Sequence, residues 1–262
     1  MKLKIYQVDA FTDQIFSGNP AAVCPLDAWL EDTLMQQIAM ENNLAETAFF
    51  VKNEQGYEIR WFTPTVEVDL CGHATLASAF VLFNCEGYTA DAIRFHSPRS
   101  GLLIVKREDD YLTLNFPTDL LASVPVTPEL TATFGVKPKA AYKGKSDYML
   151  VFESEEYVRL AKPDLARIAQ LEARGVIITA KGNDVDFVSR FFGPRTGVEE
   201  DPVTGSAHTT LTPYWATELH KAELTAKQLS ARGGYLRCNY LDDRVEISGQ
   251  GRLYLTGEIQ VD

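Results

Sequence analysis

The chain has 262 residues, of which 45% are hydrophobic and 23% are charged, and its formal net charge at pH 7 is −11. This composition is typical of a soluble globular protein, and the length predicts two domains of roughly 100–150 residues each. The negative charge argues against binding to nucleic acid or to an anionic membrane surface, because both require clustered Lys and Arg.

The cysteines and the N-terminal segment indicate an intracellular protein. Cys24, Cys71, Cys85 and Cys238 have no Cys-x-x-Cys spacing, which favours free thiols in a reducing compartment. The N-terminal stretch lacks the continuous apolar core of a signal peptide, and the chain contains no apolar run of about 18 residues. We therefore expect a cytoplasmic protein without a membrane span.

The first half of the chain is predicted to be rich in strands, with one enclosed helix. "KLKIYQVDAF" has strand character, "SGNPAA" (17–22) that of a turn, and "DAWLEDTLMQQIAMENN" helical spacing with Asp27 as N-cap. "ETAFFVKN" and "YEIRWFT" predict a hairpin joined by "EQG". Apolar residues on all sides of 74–83 predict a buried central helix, which three strands follow in "DAIRFHS", "GLLIVKRE" and "YLTLNFP".

The second half is predicted to have a similar order of elements. Strands are expected in "AAYKGKSDYMLVF", "GVIITA" and "DVDFVSRFF", helices in "KPDLARIAQLEA" and at 205–219, and glycine-punctuated strands at the end. Prolines mixed with small residues at 118–129 predict a linker. We therefore expect a first domain at 1–117 and a second at 130–251, with a last strand at about 252–262 that is free to return to the first domain.

An internal repeat connects the two halves. "RWFTPTVEVDLCGHAT" from Arg60 matches "RFFGPRTGVEEDPVTGSAH" from Arg190, and after a three-residue insertion Cys71-Gly72-His73-Ala74 matches Thr204-Gly205-Ser206-Ala207. The match indicates internal duplication. Two related domains would bring two helix N-termini to one cleft, where backbone N–H groups and a partial positive charge suit a small carboxylate ligand.

Three side chains are candidates for chemistry, two of them close to these glycines in the sequence and one upstream. Glu46 stands just before the apolar "TAFF", where burial would suit proton transfer; a solvated carboxylate at a strand end is the alternative. His73 follows the first glycine, where its ring is either functional or structural. Asp201 precedes the second glycine–helix junction, where a loop or capping role beside Pro202 is the alternative.

A metal site and common cofactors are disfavoured by the motifs. Asp69, Cys71 and His73 lie at i, i+2 and i+4, but the sequence has no His-x-His, His-x-x-x-His or Cys-x-x-Cys pair to complete a metal shell. A Cys71–His73 nucleophile would need an orienting group that no motif marks. Glycine-rich nucleotide motifs and a Schiff-base signature are also absent, so we expect no metal and no organic cofactor.

Four motifs together resemble the phenazine-biosynthesis isomerase (PhzF-like) family: "FSGNPAAV", "LAETAFF", "RWFTPTVEVDLCGHATLAS" and "EEDPVTGSA". The resemblance covers essentially the whole chain. It implies a diaminopimelate epimerase-like α+β fold of two pseudo-symmetric domains, each a rolled, barrel-like and mainly antiparallel β-sheet around a central helix. The active site would lie between the domains, and the resemblance also suggests a homodimer.

The same resemblance implies a cofactor-independent isomerase that moves a proton between carbons of a small carboxylic acid. In the phenazine branch a single glutamate does this on dihydro-3-hydroxyanthranilate. By motif match, Glu46 is the acid/base here, and His73 and Asp201 are further catalytic residues. The substrate-binding residues implied are Gly72, Gly205, Ser206 and Asn19.

Two departures from the family and two alternative functions are open at this point. Ala45 stands where a serine is expected beside the glutamate, and Pro213 should kink or end the second central helix. An amino-acid racemase or epimerase of the same fold would use two opposed cysteines, but Cys71 is matched by Thr204, whose hydroxyl is a poor base. The other alternative is a non-catalytic ligand-binding or interaction protein, because fold does not fix function.

Overall fold

The computed structural model describes residues 1–261, which separate into two compact units. The first unit contains Met1–Asn115 and the described residues from Ser248 onward, and the second contains Phe116–Ile247. None of the helices within residues 1–261 combines the length and the apolar character needed to span a membrane.

Up to residue 117 the chain alternates short strands with two helices. The strands are β1 (Lys2–Ala10), β2 (Asn19–Leu26), β3 (Glu46–Asn53), β4 (Gly56–Phe62), β5 (Glu67–Val68), β6 (Ala92–Ser97), β7 (Gly101–Glu108) and β8 (Tyr111–Pro117). The helices are α1 (Asp32–Asn42) and α2 (Gly72–Asn84). The predicted hairpin is confirmed by the antiparallel pairing of β3 with β4, in which Thr47 lies opposite Phe62.

The central helix of the first unit is α2. Its side chains are buried on all sides, and it contacts β1, β2, β3 and β7. A helix without a polar face is stable only when other structure encloses it, so the predicted central helix is confirmed. Two strand pairs of this unit are parallel, β2 with β3 and β4 with β6, whereas the other strand pairs described for it are antiparallel.

The second half continues with the same kinds of element. Its strands are β9 (Ala122–Val124), β10 (Ala140–Lys143), β11 (Tyr148–Val151), β12 (Val176–Lys181), β13 (Phe187–Gly193), β14 (Val198–Asp201), β15 (Glu223–Gln228), β16 (Gly234–Leu241), β17 (Arg244–Gly249) and β18 (Gly251–Gln260). Its helices are α3 (Pro128–Ala132), α4 (Glu155–Leu160), α5 (Leu165–Gln170) and α6 (Gly205–Leu219). The last strand, β18, pairs antiparallel with β1 in the first unit.

The strand pairing of the second unit follows that of the first. β11 is parallel to β12, β12 is antiparallel to β13, and β13 is parallel to β15, as β2, β3, β4 and β6 are related in the first unit. Each unit also places a buried helix after a short strand, α2 after β5 and α6 after β14. The fold is therefore α+β and mainly antiparallel, with one central helix in each unit, as the sequence predicts.

Two local predictions in the first half are corrected. The "SGNPAA" stretch is only partly a turn, because Asn19 already begins β2 and pairs with Ala10. The turn is made by Gly18, which has a φ of +66° and whose missing Cβ would lie 2.2 Å from the Ala10 carbonyl oxygen. Asp27 is not the N-cap of α1, because the first N–H groups of that helix bond to the carbonyl of Glu31.

Pro213 does not end α6, which continues to Leu219. Proline has no N–H, so the carbonyl four residues earlier, that of Thr209, loses its helical donor. The backbone N–H of Asp119 bonds to this carbonyl at 3.2 Å and replaces the missing donor. The expectation that Pro213 ends the helix early is therefore wrong.

Candidate active site

The first unit brings three of the predicted site residues together at the start of α2. Glu46 is the first residue of β3, His73 is the second residue of α2, and Asn19 is the first residue of β2. Their close approach follows from the pairing of β2 with β3, which sets Ala21 beside Glu46, and from the packing of α2 on both strands. Gly72 begins α2 immediately before His73.

His73 lies between Glu46 and two other polar groups. Its Nε2 is 3.2 Å from Glu46 Oε2, and only 6% of the His73 side chain and 17% of the Glu46 side chain are exposed. Its Nδ1 is 3.3 Å from the Asn19 side-chain nitrogen and 3.5 Å from Cys71 Sγ. An amide nitrogen only donates, so Nδ1 accepts, and the hydrogen of the neutral ring lies on Nε2, which faces Glu46.

The charges of this cluster favour a protonated thiol and a basic imidazole. Burial raises the pKa of Cys71 to about 11, with the neighbouring Glu46 adding to the rise, so Cys71 is a neutral thiol near pH 7. Burial lowers the pKa of His73, but Cys71 and Glu46 raise it by more, and the net shift is upward. Because the thiol is neutral, we attribute the upward shift near neutral pH to the Glu46 carboxylate.

Glu46, Cys71 and His73 also have the composition of a metal-ligand set, with one donor atom from each lying within 4.8 Å of the others. The two nitrogens of His73 face different members of the set, however, because Nδ1 faces Cys71 and Nε2 faces Glu46. A metal ion binds one nitrogen of an imidazole, so binding of all three ligands would require this ring to turn. The contacts therefore favour proton sharing. Asp69 stands apart from the cluster and pairs with Arg99.

The second unit brings Asp201, Gly205 and Ser206 together at the start of α6. Asp201 ends β14, and its Oδ2 accepts a hydrogen bond of 2.6 Å from the Thr204 hydroxyl. The Gln228 side chain holds the same turn, because it accepts from the Thr204 N–H and donates to the Asp201 carbonyl oxygen. Gly205 and Ser206 then form the first turn of α6.

Arg174 contacts this helix start from the segment before β12. Its Nη2 donates to Ser206 Oγ at 3.0 Å, while Nε and Nη2 donate to the two carboxylate oxygens of Asp147. The guanidinium also lies 5.2 Å from the centre of the Phe191 ring. Burial lowers the pKa of Arg174, but Asp147 and then Asp201 and Asp119 raise it by more, so the group is always cationic.

Three of these polar residues, Arg174, Asp147 and Gln228, are not predicted from the sequence. No sequence signal marks Arg174, because the strand pairing itself is needed to align Thr47, which lies opposite Phe62, with Val176, which lies opposite Phe192. That alignment sets Ala45 against Arg174 and Glu46 against Gly175. Asp147 and Gln228 stand in ordinary strand contexts, and only the fold brings them to the site. That the two helix starts face one cleft stays a prediction.

Comparison with known proteins gives this geometry a context. Residues 8–257 match the family model described as phenazine biosynthesis-like protein. An uncharacterized isomerase of Pseudomonas aeruginosa is 52% identical over 261 residues that cover 100% of both chains. A PhzF family crystal structure from Enterococcus faecalis is 47% identical, covers 100% of both chains and superposes with a TM-score of 0.97.

A more distant structure shares the fold alone. The hydroxyproline epimerase of Agrobacterium vitis is 9% identical and has a TM-score of 0.62, with coverage of 98% of this chain and 92% of that chain. The name of the Pseudomonas aeruginosa relative indicates an isomerase-type function for the family. With a match over nearly its whole length, the chain belongs to the phenazine biosynthesis-like (PhzC-PhzF) protein family.

Proposed function

We propose that the protein is a cofactor-independent isomerase that moves a proton between two carbons of a small carboxylic acid, with Glu46 as the acid/base. The observation that carries the proposal is the 3.2 Å approach of Glu46 Oε2 to His73 Nε2 at the start of α2. A carboxylate can take a proton from one carbon as a base and return it to another carbon as an acid, so one glutamate suffices for both steps.

His73 supports this role of Glu46 by fixing its orientation. When the ring is neutral, its hydrogen lies on Nε2 and faces the Glu46 carboxylate at 3.2 Å. Asn19 and Cys71 lie against Nδ1 and hold the ring in this tautomer. Nε2 of His73 and Oε2 of Glu46 are buried and lie 3.2 Å apart, but neither atom makes a hydrogen bond of regular geometry within residues 1–261. A substrate that reaches them would supply the missing partner.

The helix starts suit the anionic and polar groups of such a substrate. Glycine at 72 and at 205 lets a ligand approach the backbone closely, and the N–H groups of a first helical turn bind carboxylates. The Ser206 hydroxyl adds a donor, and Asp201, which its bond from Thr204 orients, adds acceptors for an amino or hydroxyl group. We assign these four residues to substrate binding and orientation.

An amino-acid racemase or epimerase that uses two thiols is not favoured. Cys71 is a buried thiol with a pKa of about 11, so it is a weak base near neutral pH. Its counterpart Thr204 has a hydroxyl group that donates to Asp201. Neither residue has the character of the base or the acid that such a mechanism needs.

Solvent-deuterium exchange tests the proposal. The wild-type protein is incubated in D2O with small cyclic or alkene-containing amino and hydroxy acids, and deuterium uptake into each acid is measured by mass spectrometry. For an acid that exchanges, Glu46→Gln should slow exchange by about 10²- to 10⁴-fold, the usual contribution of a general acid–base group. Glu108→Gln is the matched control, because it makes the same change at an exposed position at the end of β7.

The outcomes separate the candidate functions. If Glu46→Gln exchanges as fast as the wild type, the role of Glu46 is wrong. If Cys71→Ala abolishes exchange while Glu46→Gln does not, the racemase or epimerase function is supported instead. If the wild type binds acids of the panel but exchanges none of them, the protein is a non-catalytic binding protein.

A further inference from the structure

The start of α6 contains an arrangement that the family resemblance does not assign. Arg174 donates to Ser206 Oγ at 3.0 Å, and Asp147 fixes Arg174 by accepting from both Nε and Nη2. Only 4% of the Asp147 side chain is exposed, compared with 37% of the Arg174 side chain. A buried carboxylate with two charge-assisted bonds holds the planar guanidinium in one orientation.

The bond from Arg174 determines what the Ser206 hydroxyl can do. A hydroxyl has one hydrogen to donate and two lone pairs to accept with. Because a guanidinium has no lone pair to offer, Ser206 Oγ must be the acceptor in this bond, and its own hydrogen points elsewhere. Arg174 thereby converts a freely rotating hydroxyl into a directed donor that carries part of the neighbouring positive charge.

We propose that Arg174 is a positioning residue that directs the Ser206 hydroxyl toward the carboxylate of a small acid bound at the start of α6. The inference rests on the proposed function, since it takes Ser206 as a substrate-binding residue. Asp147 balances the charge of Arg174, so the pair directs the donor without presenting a bare cation. An uncharged isostere of the carboxylate gains little from such a site, because it is a weaker acceptor.

Binding of benzoate, with neutral benzamide as its isostere, tests the inference without requiring catalysis. Both are titrated at millimolar concentrations into the ¹⁵N-labelled full chain, and the amide signals of Gly205 and Ser206 are followed by NMR. Benzoate should shift these signals and bind more tightly than benzamide. Arg174→Gln should weaken benzoate binding about tenfold, as expected for loss of support to a charge-assisted hydrogen bond. If benzoate does not shift these signals in the wild-type protein, the inference is overturned.

A double-mutant cycle distinguishes positioning from a general structural effect. In a Ser206→Ala background, Arg174→Gln should change the Kd for benzoate by less than about twofold, because the hydroxyl through which Arg174 acts is gone. An undiminished loss in that background would show that Arg174 acts by its charge or by holding the fold, and would overturn the proposal. Arg167→Gln is the charge-matched control, since Arg167 is exposed and pairs with Asp164.

Two further variants keep the test interpretable. Arg174→Gln leaves Asp147 buried without its partner, so Arg174→Gln with Asp147→Asn removes both charges and should fold while still binding benzoate weakly. Glu108→Gln, at an exposed position at the end of β7, should bind benzoate as the wild type does. If benzoate binding shows the coupling between Arg174 and Ser206 but no acid exchanges deuterium, this inference stands and the proposed isomerase function is wrong. If deuterium exchanges but the coupling is absent, the isomerase function stands and this inference is wrong.

Discussion

The two halves of the chain share a scaffold but differ in the charges at the helix start. In the first unit, Arg60 lies 5.2 Å from the Phe62 ring and donates to both carboxylate oxygens of Glu67, at 2.7 and 2.9 Å. In the second unit, Arg190 lies 4.8 Å from the Phe192 ring and binds Glu200 in the same way, at 2.6 and 2.9 Å. Side-chain contacts as well as strand order are therefore repeated.

The residues at the strand start do not follow this repetition. In the first unit an acid, Glu46, meets the second residue of α2, which is His73. In the second unit a cation, Arg174, meets the second residue of α6, which is Ser206. The comparison indicates that the Arg–Glu pairs are repeated in both halves, whereas the helix start carries a carboxylate–imidazole contact in the first half and a guanidinium–hydroxyl bond in the second.

The largest effect is expected when the acid of the first half is placed in the second half. Strand pairing aligns Glu46 with Gly175, and a Cβ on Gly175 would lie 2.5 Å from Phe191 Cζ and 2.6 Å from the Phe192 carbonyl oxygen. Because a backbone oxygen cannot move aside, Gly175→Glu should lower the free energy of unfolding by about 3 kcal/mol or more, measured in urea. Gly175→Ala should lower it by about 1–3 kcal/mol.

Gly257→Ala is the control for this prediction. The Cβ that it adds to β18 meets its nearest atoms at 3.7 and 3.8 Å, which is ordinary contact, so the free energy of unfolding should change by less than about 0.5 kcal/mol. If Gly175→Glu were as stable as the wild type, sterics would not explain why the second half lacks the acid.

Much of the fold was predictable from the sequence, because its signals are local. Apolar residues on all sides identified α2, and the repeat located the starts of both α2 and α6. The insertion of three residues corresponds to the 3-10 turn Pro194–Thr196 in the second half. The start of α1 was misplaced, because an acidic residue before a helix is a weak signal and Glu31 supplies the first carbonyl instead.

The candidate site was predictable only where a motif marks it. Glu46, His73 and Asp201 stand in distinctive stretches, whereas Arg174 and Asp147 are 27 residues apart and meet only when β11 pairs with β12. Local patterns carry no information about such distant partners. The division of charge between the halves therefore required the structure.

The second largest effect is expected at low pH, where a buried histidine of α6 should lower the stability of the protein and the corresponding threonine of α2 should not. Thr75 donates to the Cys71 carbonyl oxygen in α2, and the corresponding His208 donates from Nδ1 to the Thr204 carbonyl oxygen in α6. Burial lowers the pKa of His208 to about 4, because a protonated ring would place an unpartnered Nε2–H in the core. Below pH 6.5 the unfolded chain binds a proton at His208 more readily than the folded chain does. The free energy of unfolding therefore decreases as the pH is lowered, by about 3 kcal/mol at pH 4.

His208→Thr, which copies the first half, should remove this part of the acid sensitivity. The variant loses about 1–2 kcal/mol at pH 7 through lost packing, but its stability should fall less steeply from pH 6.5 to 4 in urea titrations. His73 acts in the opposite sense: its raised pKa gives stability below pH 6.5 that is lost as pH rises through the raised value. His220→Asn, at the exposed end of α6, should keep the wild-type slope; an unchanged slope in His208→Thr would contradict the assignment.

The smallest effect is expected at Pro213, which lies within α6 at the position that Phe80 has in α2. Helix propensity alone predicts that Pro213→Ala stabilises a helix by about 3 kcal/mol. The Asp119 N–H already occupies the Thr209 carbonyl, and the Asp119 carboxylate is itself held by the Thr210 hydroxyl and the Lys145 N–H. Pro213→Ala should therefore raise the free energy of unfolding, measured in urea, by less than about 1 kcal/mol. The N–H that alanine adds would bond to the Thr209 carbonyl, which already has a donor.

The same substitution should gain more when Asp119 is no longer held in place. Asp119→Ala removes the carboxylate that anchors this segment, so the backbone N–H at position 119 is no longer held against the Thr209 carbonyl. In that background Pro213→Ala should stabilise the protein by about 1 kcal/mol more than it does in the wild type, a coupling that a double-mutant cycle measures. A gain near 3 kcal/mol in the wild-type background, or no coupling, would mean that Asp119 does not compensate for the proline. If the coupling is observed, the segment before β9, which contains Asp119, is what allows α6 to hold a proline where α2 has Phe80.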